Sequence, residues 1–141
     1  MHQNAPTIQS TLRVLRIVHL VMAASILLYW HAMILAPAQN SEPLNPEWLW
    51  GLGALGAVDL VLGQWLRSRE LRIAFGTLRT KPDDAPALGR WRRGIILGDC
   101  FALSVVLFGF NIHIRGGAGR QVAPFLIVGA AAFIVWWPKQ P

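Results

Sequence analysis

The sequence contains little cysteine and little charge. Of its 141 residues, one is cysteine and 14% are charged, which is a low charged fraction for a soluble domain. The single cysteine, Cys100, excludes a disulfide bond within the chain, and its place in an apolar run predicts a small buried side chain. Because 54% of the residues are hydrophobic, the composition predicts one membrane domain covering residues 1–141.

Patterns that carry known catalytic chemistry are also missing from the sequence. The chain has no Ser, His and Asp in a triad order, no phosphate-cradling glycine loop, and no cluster of cysteine and histidine. Gly116, Gly117 and Gly119 stand without a lysine, which is typical of a turn between two helices. We therefore expect a protein that is not an enzyme and that binds no cofactor.

Long apolar runs define the expected fold. About 20 apolar residues are enough to cross the bilayer as a helix, and four runs approach or exceed that length. They predict an all-α bundle of four spans, at 17–35, 46–66, 94–114 and 122–137. The first run, with its basic flank and Ala36-Pro37-Ala38, also resembles a secretory signal, but its length favours a retained helix.

The basic residues indicate an orientation. Arg13, Arg16, Lys139 and the eight Lys and Arg between residues 67 and 93 fall on one side of the predicted spans, while Arg115 and Arg120 fall on the other. This bias predicts a bacterial inner-membrane protein with both termini in the cytoplasm. It also assigns the net charge of +6 to topology and to anionic lipids, and not to a nucleic-acid partner.

Residues 67–93 are expected to form a basic cytoplasmic loop that contains an interfacial helix. Leu71, Ala74, Phe75 and Leu78 recur at helical spacing after the second span, which is typical of an amphipathic helix lying along the headgroups. Lipid phosphates would then contact its arginines, which are Arg67, Arg69, Arg72 and Arg79. The seven tryptophans all lie near predicted span ends, where we expect them to face the membrane interface.

Two acids inside the predicted spans are the strongest functional candidates. Asp59 lies on a stripe with Gly56 and Gly63, so its face is expected to pack against another helix. Both Asp59 and Asp99 fall about 9–12 Å from the nearest basic flank, which predicts that the two carboxyl groups meet and share a proton. His19 near the same side would extend them into a polar series. This series could bind a proton or a cation, or its bonds could merely fix the helix register.

Histidines near the other end are weaker candidates. His31 and His113 fall near the outer ends of the first and third spans, where a bis-histidine haem or metal site is conceivable. No ligand-spacing motif accompanies them. We therefore expect no metal site.

The two halves of the chain show a weak repeat. Arg16-Ile17 before the first span is similar to Arg93-Gly94-Ile95 before the third, and Pro46 corresponds to Pro124. These similarities indicate a duplicated helical hairpin.

The second half of the chain resembles two groups of membrane proteins. Residues 102–117, ALSVVLFGFNIHIRGG, with the Pro124-Phe125 and Trp137-Pro138 steps, resemble small uncharacterised bacterial four-helix membrane proteins. The run from Leu107 to Phe110 also resembles the proteolipid (c-type) subunits of rotary ATPases, which implies an ion-binding ancestry. The sequence departs from that family at Leu103, where the family acid would fall, and the nearest acid is Asp99.

Two functions remain open at this point. The short loops favour a small non-catalytic subunit, or an assembly factor, of a larger inner-membrane complex, with other membrane subunits or further copies of itself as partners. The alternative is a proteolipid-like carrier of protons or cations that uses Asp59 and Asp99.

Overall fold

The computed structural model describes residues 7–35 and 45–141. Within these ranges the chain forms four helices, namely α1 (Ile8–Leu35), α2 (Pro46–Leu78), α3 (Ala85–Ile114) and α4 (Gly119–Val135). The predicted all-α fold is confirmed, and α1, α2 and α3 are long and apolar enough to cross a membrane. Helix α4 has 17 residues and is about 26 Å long, so its role as a fourth span stays a prediction.

Local sequence sets the helix boundaries. The Asn45 side chain accepts a hydrogen bond from the Glu47 amide and Pro46 opens α2, while the Asp84 side chain accepts from the Ala87 amide at the start of α3. Between α3 and α4 the chain turns at Gly116, whose φ of 92° is costly for any residue with a Cβ atom.

Helix α3 occupies the centre of the bundle. It packs against each of the other three helices and buries more residues than any of them. Helices α2 and α4 run in the same direction and both pack on α3, whereas α1 packs on α3 and, less extensively, on α4. The two halves differ in helix length, because α2 has 33 residues and its counterpart α4 has 17. The duplicated hairpin therefore stays a prediction.

One end of the bundle has a core of its own. Here α1 begins, α2 ends and α3 begins, and we call this region the basic end. Its core contains Leu12 and Leu15 of α1, Ala74 and Leu78 of α2, and Ala87, Leu88, Trp91 and Ile95 of α3. Exposed arginines surround this core: Arg13, Arg16, Arg69, Arg72, Arg79, Arg90, Arg92 and Arg93.

The apolar face predicted at residues 67–79 belongs to a helix as expected, but the prediction that this face lies along the headgroups is wrong. Helix α2 continues through Leu78 without interruption, and most of the predicted loop 67–93 is helical. Ala74 and Leu78 are buried against α1 and α3 rather than against lipid. The apolar spacing was real, but it marks a face that packs on protein, because α1 and α3 extend equally far at this end.

Two predictions about single side chains are also wrong. Trp91, expected at the membrane interface, has no exposed surface and lies in the core of the basic end. Cys100, expected to be buried, is exposed on α3. This run is apolar on all sides of the helix, so its sequence did not reveal which side of α3 faces the neighbouring helices.

Candidate functional site

Asp59 lies between α2 and α3. Its carboxylate accepts a hydrogen bond from the Ser104 hydroxyl, and that hydroxyl also contacts the Phe101 carbonyl of α3 at 2.8 Å. The expected packing of this face against another helix is found: Gly56 meets Phe108 and Gly63 meets Phe101. A Cβ atom at position 63 would lie 2.7 Å from the Cβ of Phe101, so the two helices approach closely only because the residue is glycine.

His19 and Asp99 form a buried pair between α1 and α3. The imidazole Nδ1 lies 2.8 Å from Asp99 Oδ1, and both side chains are almost fully buried. The other ring nitrogen, Nε2, lies 3.0 Å from the Phe133 carbonyl of α4. Phe133 and Trp137 complete the surroundings, each with its ring centre 5.2 Å from that of the imidazole.

The tautomer of His19 decides which group donates in each contact. A backbone carbonyl only accepts hydrogen bonds, so a bond to Phe133 needs the hydrogen on Nε2, whereas a bond to an ionised Asp99 needs it on Nδ1. Through these two contacts His19 joins α1 to both α3 and α4.

Arg67 brings α2 into the same polar junction. Its Nη2 donates to the Trp136 carbonyl at 3.0 Å, and its positive charge interacts with Asp99. The Phe133 and Trp136 carbonyls lie at the C-terminus of α4, where the last carbonyls have no partner within the helix and the helix dipole is negative. His19 and Arg67 thus supply the donors that this helix end needs.

Gly98 makes room for the arginine. A Cβ atom at this position would lie 2.7 Å from Arg67 Cδ, so the side chain can cross α3 only over a glycine. We call His19, Arg67, Asp99 and the two carbonyls of α4 the four-helix junction. Two of its polar atoms, Arg67 Nε and Asp99 Oδ2, are buried without a hydrogen-bond partner among the described residues.

The predicted pairing of Asp59 with Asp99 is wrong. Asp59 lies beside Ser104, whereas the side chain of Arg67 reaches Gly98, the neighbour of Asp99. Asp99 precedes Ser104 in α3 by five residues, which is about 8 Å along the helix. The two carboxyl groups therefore have different partners.

The remaining candidates lie elsewhere. Arg69, Arg72 and Arg79 are exposed at the basic end, with Arg69 stacked 5.8 Å from the Trp65 ring, and their contact with lipid headgroups stays a prediction. His31 is exposed on α1, whereas His113 lines a cavity of about 320 Å³ between α1 and α4. Over residues 7–35 and 45–141, no group of three or more His, Cys, Asp or Glu could hold a metal ion.

Sequence reasoning missed Ser104 and the interior role of Arg67. A serine in an apolar helix is a common interhelical donor, so its position on the α3 face toward Asp59 was a usable signal. Arg67 is predicted to contact lipid because it is one of the arginines of the amphipathic segment 67–79. The carbonyls of Phe133 and Trp136 carry no side-chain signal, and only the helix-ending Trp137-Pro138 step indicates them.

Comparisons of the chain with protein-family models, with curated proteins and with solved structures found no match.

Proposed function

We propose that this chain is a small non-catalytic integral membrane subunit, or an assembly factor, of a larger membrane complex. The observation that carries the proposal is the use of its buried polar side chains. Asp59 bonds α2 to α3, His19 bonds α1 to α3 and α4, and Arg67 bonds α2 to α4. Groups used in this way fix one arrangement of four helices, which is what a structural subunit needs.

The outer face of α1 is the proposed contact for other membrane subunits. Leu27 and Leu28 are each 70% exposed, and Val21 and Ile34 continue the same apolar surface. Within residues 45–141 the connections at 79–84 and 115–118 are short, so in this part of the chain recognition falls mainly to the helices themselves. A partner helix on α1 would bury these side chains against protein instead of lipid.

Affinity purification in mild detergent tests this proposal. We expect the chain to co-purify with at least one other membrane protein in a fixed ratio. Leu28→Trp should lower the amount of that partner, because it enlarges a side chain in the proposed contact. Val61→Trp is the matched control, since Val61 is 69% exposed on α2, away from α1. Equal recovery of the partner with both variants would count against the α1 contact.

We place the protein in the inner membrane of a bacterium with the basic end in the cytoplasm. The ring of arginines around that end, against Arg115 and Arg120 at the other, supports this orientation through the positive-inside rule. The same arginines support contact with anionic lipids. The basic character of the chain then requires no nucleic-acid partner.

The second candidate function is a proton carrier, favoured by the buried contact of His19 with Asp99, since histidine and acidic side chains inside a membrane commonly serve as proton relays. Asp99→Asn distinguishes the two functions, because an asparagine amide can donate to Nδ1 without any titrating proton. Under the structural proposal this variant assembles normally. Under the carrier proposal it abolishes proton flux into vesicles monitored with an internal pH dye, and wild-type flux must be demonstrated in the same assay.

A further inference from the structure

A cleft runs between α2 and α4 on the outer surface of α3. The part of the cleft farther from the basic end is a cavity of about 300 Å³ with almost purely apolar walls. Gly53, Ala57 and Leu60 form the α2 side, and Pro124 and Val128 form the α4 side. This part of the cleft is open beside Gly53, where a Cβ atom would meet nothing within 4 Å.

A second cavity, which shares no lining residue with the first, lies toward the basic end. It has a volume of about 230 Å³ and lies about two helical turns further along both helices, from Leu60 to Arg67 and from Val128 to Val135. Helix α4 ends here, whereas α2 and α3 continue, so the cavity is a notch beside the last turn of α4. Arg67 and Lys139 are its two charged lining residues.

The notch carries a net positive charge. Among the described residues no acid lines this cavity, so the positive charges of Arg67 and Lys139 are not cancelled within it. Arg67 uses Nη2 for the Trp136 carbonyl and its Nε is buried against Gly98, so the Nη1 group is the one left for a ligand in the notch. Guanidinium and ammonium groups at the end of an apolar cleft are suited to a phosphate that carries a hydrocarbon chain.

The dimensions agree with one leaflet of a bilayer. Ten residues of α2 separate Arg67 from Ala57, which is about 15 Å, or half of the roughly 30 Å hydrocarbon core. We propose that the α2–α4 cleft binds one anionic phospholipid. Its phosphate lies between Arg67 and Lys139, and an acyl chain lies along Leu60 and Ala57. This site is independent of any protein partner and adds a bound lipid to the proposed structural role.

Lipid titration of the detergent-purified full chain tests the site. Binding is measured by native mass spectrometry with phosphatidylglycerol, with phosphatidylcholine of the same acyl chains, and with inorganic phosphate. We expect one tightly bound phosphatidylglycerol, weaker phosphatidylcholine and no retained phosphate. Retention of phosphate as strong as that of the lipid would show that the ligand is a free anion, and would overturn the proposal. Equal binding of both lipids would also overturn it.

Charge variants separate the site from general attraction to the basic end. Lys139→Gln should weaken phosphatidylglycerol binding about fivefold, the effect of roughly 1 kcal/mol per basic residue. Arg79→Gln is the control, because Arg79 is exposed at the same end but outside the cleft. An equal loss in both variants would mean that the lipid is held by the overall charge and not by this site.

A second pair of variants tests the hydrocarbon part. Ala57→Phe fills the apolar cavity and should displace the lipid, whereas Ala54→Phe adds the same ring to an exposed position outside the cavity. We expect reduced binding in the first variant and wild-type binding in the second. If Ala57→Phe binds phosphatidylglycerol as the wild type does, the acyl chain does not lie in this cleft.

Discussion

His19 and Asp99 stand 80 residues apart in the sequence, and their side chains meet at 2.8 Å in the interior of the bundle. The same imidazole reaches the Phe133 carbonyl, so one side chain of α1 joins two other helices. Helix α1 otherwise packs mainly on α3. The position of α1 in the bundle therefore depends strongly on this histidine.

His19→Ala should lower the free energy of unfolding by about 1–3 kcal/mol, because it leaves buried polar groups on Asp99 and Phe133 without a partner. His31→Ala on the same helix is the control, since His31 is exposed, and it should change stability by less than about 0.5 kcal/mol. Thermal unfolding in mild detergent measures both. Equal losses in the two variants would contradict the role of His19 in the junction.

Substitutions at Asp59 test its bond to Ser104. Asp59→Asn keeps a group that can accept from the hydroxyl, so the bundle should retain its stability. Asp59→Leu and Ser104→Ala each remove one partner and should cost about 1–2 kcal/mol, as is typical of interhelical hydrogen bonds. The double variant should cost less than the sum of the single ones. Strict additivity in the unfolding measurements would show that the two side chains do not interact.

Gly98→Ala should destabilise the bundle by about 1–3 kcal/mol, because the new methyl group would lie 2.7 Å from Arg67 Cδ and displace the arginine from Trp136. Gly76→Ala is the control on α2, where a Cβ atom meets nothing within 4 Å, and its greater helix propensity should stabilise the protein slightly. The difference between the melting temperatures is the readout. A tolerated Gly98→Ala would show that Arg67 does not need this space.

The basic end is expected to behave as a packed protein core. Trp91→Ala should cost about 3–5 kcal/mol, because the indole is fully buried among α1, α2 and α3. Trp50→Ala, at an 81% exposed position, should have little effect on unfolding. If Trp91→Ala is neutral and Trp91 fluorescence is quenched by lipid-borne quenchers, the basic end opens onto the membrane instead.

The predicted orientation is testable by cysteine labelling in intact cells. In a Cys100→Ser background, Asp83→Cys should resist a membrane-impermeant maleimide, while Ala118→Cys should react with it. Asp83 lies in the turn between α2 and α3, and Ala118 lies immediately before α4. Labelling of Asp83→Cys in unbroken cells, with protection of Ala118→Cys, would show that the orientation is the opposite of the predicted one.

The sequence was sufficient for the fold class because its apolar runs are long and separated by clear breakers such as Lys81-Pro82 and Gly116-Gly117. It also placed Asp59 on a face that packs. It could not reveal the register between helices, on which every pairing in the junction depends. Asp99 was matched to Asp59 by depth, whereas the close approach of α2 at Gly98 places it beside Arg67. Arg67 faces the interior because α4 is short and its last carbonyls lie within reach of the guanidinium group. The Trp137-Pro138 step is the one sequence signal for these carbonyls, and it does not say which side chain bonds to them.

A structural subunit stands beside other membrane proteins in a defined complex. Native mass spectrometry of the complex extracted from its own membrane counts the subunits of each kind. We expect a particle in which this 15.6 kDa chain is joined by at least one different protein in a fixed ratio. A particle made only of multiples of 15.6 kDa, with or without lipid, would contradict this expectation and favour the carrier.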